Sequence, residues 1–156
     1  MEAEQTDTRY HVDTDWYKQR GRSFEVMGQS RMCPNCKKKL GTETEERVPK
    51  IDQKSGRVAF ENRKVPFGSN PFVVLRDCCG KKKEFIGAST PILESVFRLL
   101  LANANQPLTL EDLKQKLEET GNYTQSGHFI SAEVLKRLID HDQQYGIRPI
   151  TILPAL

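Results

Sequence analysis

Long apolar runs are missing from this chain. The longest, Phe72–Leu75 and Leu99–Ala102, are four residues each, far short of the roughly 20 that cross a bilayer as a helix. They read as a core strand and the end of a core helix. The first ten residues are polar and acidic. No basic start leads into an apolar stretch, so no secretory leader and no membrane association are expected, and the cytoplasm is the default location. Histidine is scarce, at positions 11, 128 and 141. No serine sits in a G-x-S-x-G context, no H-E-x-x-H or phosphate-loop motif occurs, and Gly21 is a lone glycine between Arg20 and Arg22. A Cys-His hydrolase needs a free nucleophilic cysteine, and the four cysteines have a better assignment. These absences point away from an enzyme. No catalytic residue and no small-molecule substrate are expected.

What is present is a polar globular balance. The chain has 156 residues, 37% hydrophobic and 29% charged, enough for one ordinary domain or two small ones. Its net charge of +3 is unevenly spread. Residues 31–90 hold 14 basic and seven acidic side chains, while the flanking segments each carry −2. The positive field therefore belongs to the middle third, where all the cysteines lie.

Cys33 and Cys36 form a C-x-x-C, and Cys78 and Cys79 are adjacent. Two residues between sulfurs let the chain turn tightly with both thiolates on one ion, and two such corners make a tetrahedral structural zinc site. Adjacent side chains tend to point apart, so joint ligation by Cys78 and Cys79 needs an unusual backbone. A positive φ at Gly80 is one way to supply it. If Cys79 binds alone, His11, His128, His141 or Asp77 becomes the fourth ligand. Three rivals stand beside zinc. A disulfide conflicts with a reducing cytosol. A redox C-x-x-C should open a helix after a strand, and Lys37-Lys38-Lys39-Leu40-Gly41 does not read as one. An iron–sulfur cluster also uses four cysteines.

Between the corners the pattern is β-like. Arg47–Asp52 and Arg57–Lys64 flank the turn Gln53-Lys54-Ser55-Gly56. Pro71–Leu75 and Glu84–Ile86 read as further strands. This order of corners and hairpins resembles a zinc ribbon over about residues 31–87. The resemblance implies a small β domain stabilised by its metal. The adjacent cysteines depart from the ribbon pattern.

Lys37, Lys38 and Lys39 follow the first corner, and Lys81, Lys82 and Lys83 follow the second. If the corners share one ion, the six lysines converge into a surface for nucleic-acid phosphates. The alternative is compensation of the thiolate charge, or plain solvated lysine. Phe60 and Phe67 could stack on bases, but core packing is the expected role.

Residues 90–153 change to helical periodicity. Ser89-Thr90-Pro91 opens a helix carrying Leu93, Val96, Phe97, Leu100 and Leu101. Thr109 starts a capping box before Leu110, Leu113 and Leu117, with Gly121 as the stop. Ser131 caps a third helix with Val134, Leu135, Leu138 and Ile139, and Ile147–Leu153 is strand-like. Three helices and a strand resemble a winged-helix domain, a family that commonly places its third helix in the DNA major groove. Lys136 and Arg137 would then face nucleic acid. The ten-residue loop 121–130 is longer than the family's turn. Glu133, Asp140 and Asp142 oppose the third helix's cations, which suits protein docking better than DNA reading.

The expected architecture is α+β. It comprises an N-terminal arm at 1–30, disordered at its start, a zinc-ribbon-like β domain at 31–88, and a winged-helix-like helical domain at 89–156. In the arm, Trp16 and Tyr17 are too aromatic for a tail. They read as packing on the ribbon or docking a partner chain. The expected function is that of an accessory nucleic-acid-binding protein of transcription or nucleic-acid-processing machinery, holding structural zinc. The alternatives are a docking subunit of a protein complex with purely structural zinc, and a redox or metal-sensing regulator.

Overall fold

The computed structural model describes residues 7–120 and 130–152. The expectations for the first six residues, for the 121–129 loop with His128 and for Leu153 fall outside them. The fold is mixed α+β, with two small antiparallel sheets and helices between and around them.

The segment expected to be an arm begins as the centre of a sheet. Strand β1 (Asp7–Val12) lies between β4 (Leu108–Thr109) and β5 (Ile147–Ile152). Arg9 pairs with Thr109, and Val12 with Ile147. Tyr10 and Val12 are buried while Arg9 and His11 are half-exposed, the two-residue alternation of a strand with one face inward. Asn105 fastens the end of β1 in both directions. Its Oδ1 accepts from the Val12 amide at 2.7 Å, and its Nδ2 donates to the Val12 carbonyl at 2.9 Å.

Helix α1 (Thr14–Gln19) follows, capped by Asp13, which accepts from the Asp15 amide. It buries Trp16 and Tyr17. Gly146 faces them with φ +72°, and a Cβ there would lie 2.8 Å from Trp16 Cε3. The Tyr17 hydroxyl donates to the Tyr145 carbonyl. Trp16 and Tyr17 thus pack on the end of the C-terminal lobe, not on a ribbon. With both rings at or below 5% exposure, the expectation that they dock a partner is corrected, because their surfaces are used within this chain. Helix α2 (Phe24–Gln29) is capped by Ser23 and stacks Phe24 on Phe72 at 4.7 Å.

Helix α3 (Pro34–Lys39), hairpin strands β2 (Glu43–Ile51) and β3 (Val58–Pro66), and helix α4 (Pro71–Asp77) make up the middle. The hairpin is longer than expected, but its turn is as read. Asp52 accepts from the Lys54 amide and the Ser55 hydroxyl, and Gly56 has φ +69°. Pro71–Leu75 is helical, not a strand. A run of four apolar residues fits either element. Pro71 at the first helical turn has its φ preset for helix, and Pro71 and Leu75, four apart, are the two residues α4 buries. Glu84–Ile86 is likewise no strand, since Lys83–Phe85 forms a 3₁₀ turn.

The C-terminal helices match their reading closely. They are α5 (Ile92–Ala102), α6 (Leu110–Glu119) and α7 (Ala132–Asp140). Thr109 and Ser131 cap α6 and α7 by accepting from the amides three residues on, at 3.1 and 3.2 Å. Val96, Phe97, Leu100 and Leu101 are fully buried, as are Leu113, Leu135 and, within 1%, Leu117 and Ile139. Val134, expected inside, is 41% exposed. Buried side chains from β1, α1, both cysteine corners and α5–α7 form one continuous cluster. The segment limits at residues 30 and 88 therefore run through a shared core.

Candidate metal centre

The four cysteines are supplied by helix ends, not by hairpins, which corrects the ribbon expectation for the corners. Cys33 is the N-cap of α3 and Cys36 lies in its first turn. Residues three apart on a helix share a face, so both thiols point the same way. Pro34 at the start of α3 favours helix there, a signal that the lysine run behind it obscured. Cys78 ends α4 and Cys79 opens the 3₁₀ turn Cys79–Lys81.

The adjacency of Cys78 and Cys79 is resolved at Cys78 itself, whose φ −130° and ψ −74° lie outside the helical region. Gly80 has no positive φ. It is glycine because of crowding: a Cβ there would come within 2.6 Å of both the Ala102 Cβ and the Leu75 carbonyl oxygen. Gly80 lets the second corner lie directly on α5.

The result is a cluster in which the four sulfurs all lie within 4.8 Å of one another. The Cys36 and Cys78 sulfurs are 3.7 Å apart. Four thiolates on one tetrahedral ion at metal–sulfur distances of about 2.3 Å stand about 3.8 Å apart. The Cys33 backbone amide donates to the Cys79 sulfur at 3.2 Å. Such a bond spreads thiolate charge onto the backbone. As thiols, the four are unequal. The Cys36 backbone amide, and to a lesser degree the neighbouring thiols, lower Cys33 to about 6. Burial pushes Cys36 and Cys79 up. Cys36 and Cys79 are buried and Cys33 half-buried, whereas Cys78 is exposed. A cavity of about 290 Å³, lined by Phe67, Val73 and Asp77 among others, borders Cys36 and Cys78. The donor set suits a soft or borderline metal ion.

Among the described residues, two of the alternative fourth ligands have other partners. Asp77 pairs with Arg76 at 2.8 Å. The ring of His141, which ends α7, lies 2.8 Å from the Arg137 carbonyl. His11 is in β1.

Both corners are strapped to α5 by a group that sequence reading did not single out. Arg31, two residues before Cys33, reaches both oxygens of Glu94 at 3.0 Å. Arg98 also donates to Glu94 at 3.0 Å, and to the Phe85 carbonyl beyond the second corner at 2.7 Å. Burial raises the Glu94 carboxyl, but the two guanidiniums more than offset this and hold it below its ordinary 4.5. The Glu94–Arg98 spacing of four was visible in the sequence, whereas the partnership with Arg31 spans 63 residues.

Lys37, Lys38 and Lys39 are exposed along α3, and Lys81 and Lys83 are exposed after the second corner, with Lys82 half-exposed. Each triplet thus begins within two residues of a clustered sulfur. The Lys39 ammonium lies 5.7 Å from the Phe67 ring centroid. Lys136 and Arg137 are exposed on α7, far from the cysteines in sequence, and Lys136 is paired with Asp140 at 2.7 Å. Compared with known proteins, the chain matches no family model, no curated protein and no solved structure.

Proposed function

We propose that this chain is a non-catalytic accessory protein in which structural zinc joins two helix ends, and in which the lysines around that joint grip nucleic-acid backbone. Zinc is favoured by sulfur spacing. A 3.7 Å sulfur–sulfur distance suits one tetrahedral ion, while a multi-iron cluster spreads its four thiolates wider. The observation that carries the nucleic-acid reading is the meeting of the two corners. It draws together two triplets that the sequence separates by 41 residues between Lys39 and Lys81. A dication with four thiolates carries about −2, so six lysines exceed what charge compensation requires.

The C-terminal helices, with β4 between α5 and α6 and β5 after α7, have the element order of a winged-helix domain. With its acidic balance and Lys136 held by Asp140, α7 suits docking on a larger assembly better than reading DNA. Transcription or nucleic-acid processing is the setting such a pairing fits, in the cytoplasm. No helix among the described residues is long and apolar enough to cross a membrane. The second reading, a docking subunit with purely structural zinc, is favoured by the exposed Ile51, Val58 and Phe60 of the hairpin. The third, a redox or metal-sensing regulator, is favoured by the exposure of Cys78. Thiol labelling of the zinc-loaded chain separates it, since a purely structural site stays protected.

The test is anisotropy of labelled single-stranded RNA and duplex DNA with the metal-loaded chain over a salt series. Binding should be insensitive to sequence, and each lysine on a phosphate should add about −0.9 to the slope of log K against log salt on duplex DNA. Replacing Lys37, Lys38, Lys39, Lys81, Lys82 and Lys83 by Gln should abolish binding with metal content unchanged. No binding by the native chain, or unchanged binding by the variant, contradicts the proposal.

A further inference from the structure

The hairpin of β2 and β3 has two edges of different character. Its register runs from Glu43 opposite Pro66 to Ile51 opposite Val58. The Asp52 amide donates to the Arg57 carbonyl at 3.0 Å, and the Phe67 amide to the Thr42 carbonyl at 2.8 Å. Both pairs continue the same register, and both bond inward. Because inward and outward pairs alternate along an antiparallel ladder, Val48–Glu61 and Lys50–Ala59 bond inward. Pro49–Phe60 and Ile51–Val58 then direct their backbone groups outward.

Two consequences follow. On β2, the outward position 49 is a proline with no N–H, which blocks that edge. On β3, the outward positions Val58, Phe60, Asn62 and Lys64 all carry N–H and C=O groups. Among the described residues no other strand pairs with β3, and its residues are exposed from Val58 to Lys64. An unprotected edge of this length is a template for another strand. The hairpin itself wants one. Two strands alone are marginal in water, and this pair leaves Ile51, Val58 and Phe60 at 57–67% exposure.

We propose that the β3 edge pairs antiparallel with the β3 edge of a second copy of this chain, about a two-fold axis at Asn62, to form a four-stranded sheet. The charge pattern selects both occupant and register. Centred on Asn62, Glu61 faces Arg63 of the second copy and Arg63 faces its Glu61, two opposite-charge contacts made at once. Phe60 then lies beside Lys64 of the second copy, whose aliphatic stem can cover the ring. The neighbouring two-fold registers oppose like charges. One sets Glu61 against Glu61, another Arg63 against Arg63, and those centred on Phe60 and Lys64 set Arg57 against Arg63 and Lys64 against Lys64. Like charges directly opposite destabilise a strand pair.

The experiment is sedimentation equilibrium of the full metal-loaded chain over a concentration series, with amide hydrogen exchange as a local readout. The native chain should dimerise, and the Val58, Phe60, Asn62 and Lys64 amides should gain protection as concentration rises. Asn62→Pro removes an outward N–H that the hairpin's own ladder does not use, and should raise the dissociation constant at least tenfold. Arg63→Glu should do the same, and adding Glu61→Arg to it should restore dimerisation. This last step distinguishes edge pairing from damage to the hairpin. A native chain that stays monomeric up to about 1 mM overturns the proposal and leaves the edge to a strand from another protein. A dimer unaffected by Asn62→Pro and Arg63→Glu, or one that the double charge swap fails to restore, overturns it as well.

Discussion

Glu94 connects parts of the molecule that the sequence keeps apart. Through Arg31 it holds the approach to the first cysteine corner, and through Arg98 the exit from the second. Its side chain is 12% exposed and that of Arg31 14%. Removing one member of so buried a pair strands the other. Glu94→Gln should therefore cost about 3 kcal/mol in urea unfolding at neutral pH. Because the folded-state carboxyl lies below its ordinary 4.5, its contribution is full above that value and disappears as pH falls through the folded value. The gap between native and variant should thus close on acidification from pH 4.5 downward, and a gap constant with pH would refute the charge assignment. At this scale the sequence was informative where chemistry is local. The four cysteines and the caps Thr109 and Ser131 were readable because each acts within a turn or by residue type. Gly80 was readable as special but for the wrong reason, since the crowding comes from Ala102, more than 20 residues further along the chain.

Among the elements, those with full amphipathic periods were found, and the short ones were misassigned. Helices α5 and α6 present complete apolar stripes. Helices α3 and α4 have six and seven residues, too few for a period to establish itself. Each also carries a competing signal, lysines in α3 and a β-rich Phe-Val-Val-Leu run in α4. In both, the proline at the first turn was the better guide. The ribbon expectation failed for this reason: it placed the cysteines on hairpins, whereas the hairpin between them carries none. A helix start also serves a metal site well. Its free amides lie beside the thiolates, as the lowered Cys33 thiol reflects.

Across the whole molecule, the long-range partnerships decide the arrangement, and they were hidden. Strand β1 is six residues with only Tyr10 and Val12 as its buried signal, and its partners lie about 100 and 140 positions away. Trp16 and Tyr17 then close over Gly146. The C-terminal helices are therefore not self-sufficient. A fragment of residues 89–156 should show no cooperative thermal transition, because it lacks the central strand and the aromatic cover. The full metal-loaded chain should melt in one step. A cooperative melt of the fragment would show that the lobe is an independent domain.

Both cysteine corners meet at the four-sulfur cluster, and the proposed zinc would join them there. The most direct measurement is zinc per chain in protein purified without added metal, for the native sequence and for Cys78→Ser and Cys79→Ser separately. One zinc per native chain, and a loss of at least tenfold in affinity in each variant, is the predicted result. Full retention of zinc by either variant would free that cysteine and contradict the four-sulfur site, and a folded native chain with no affinity for zinc would contradict the metal centre altogether.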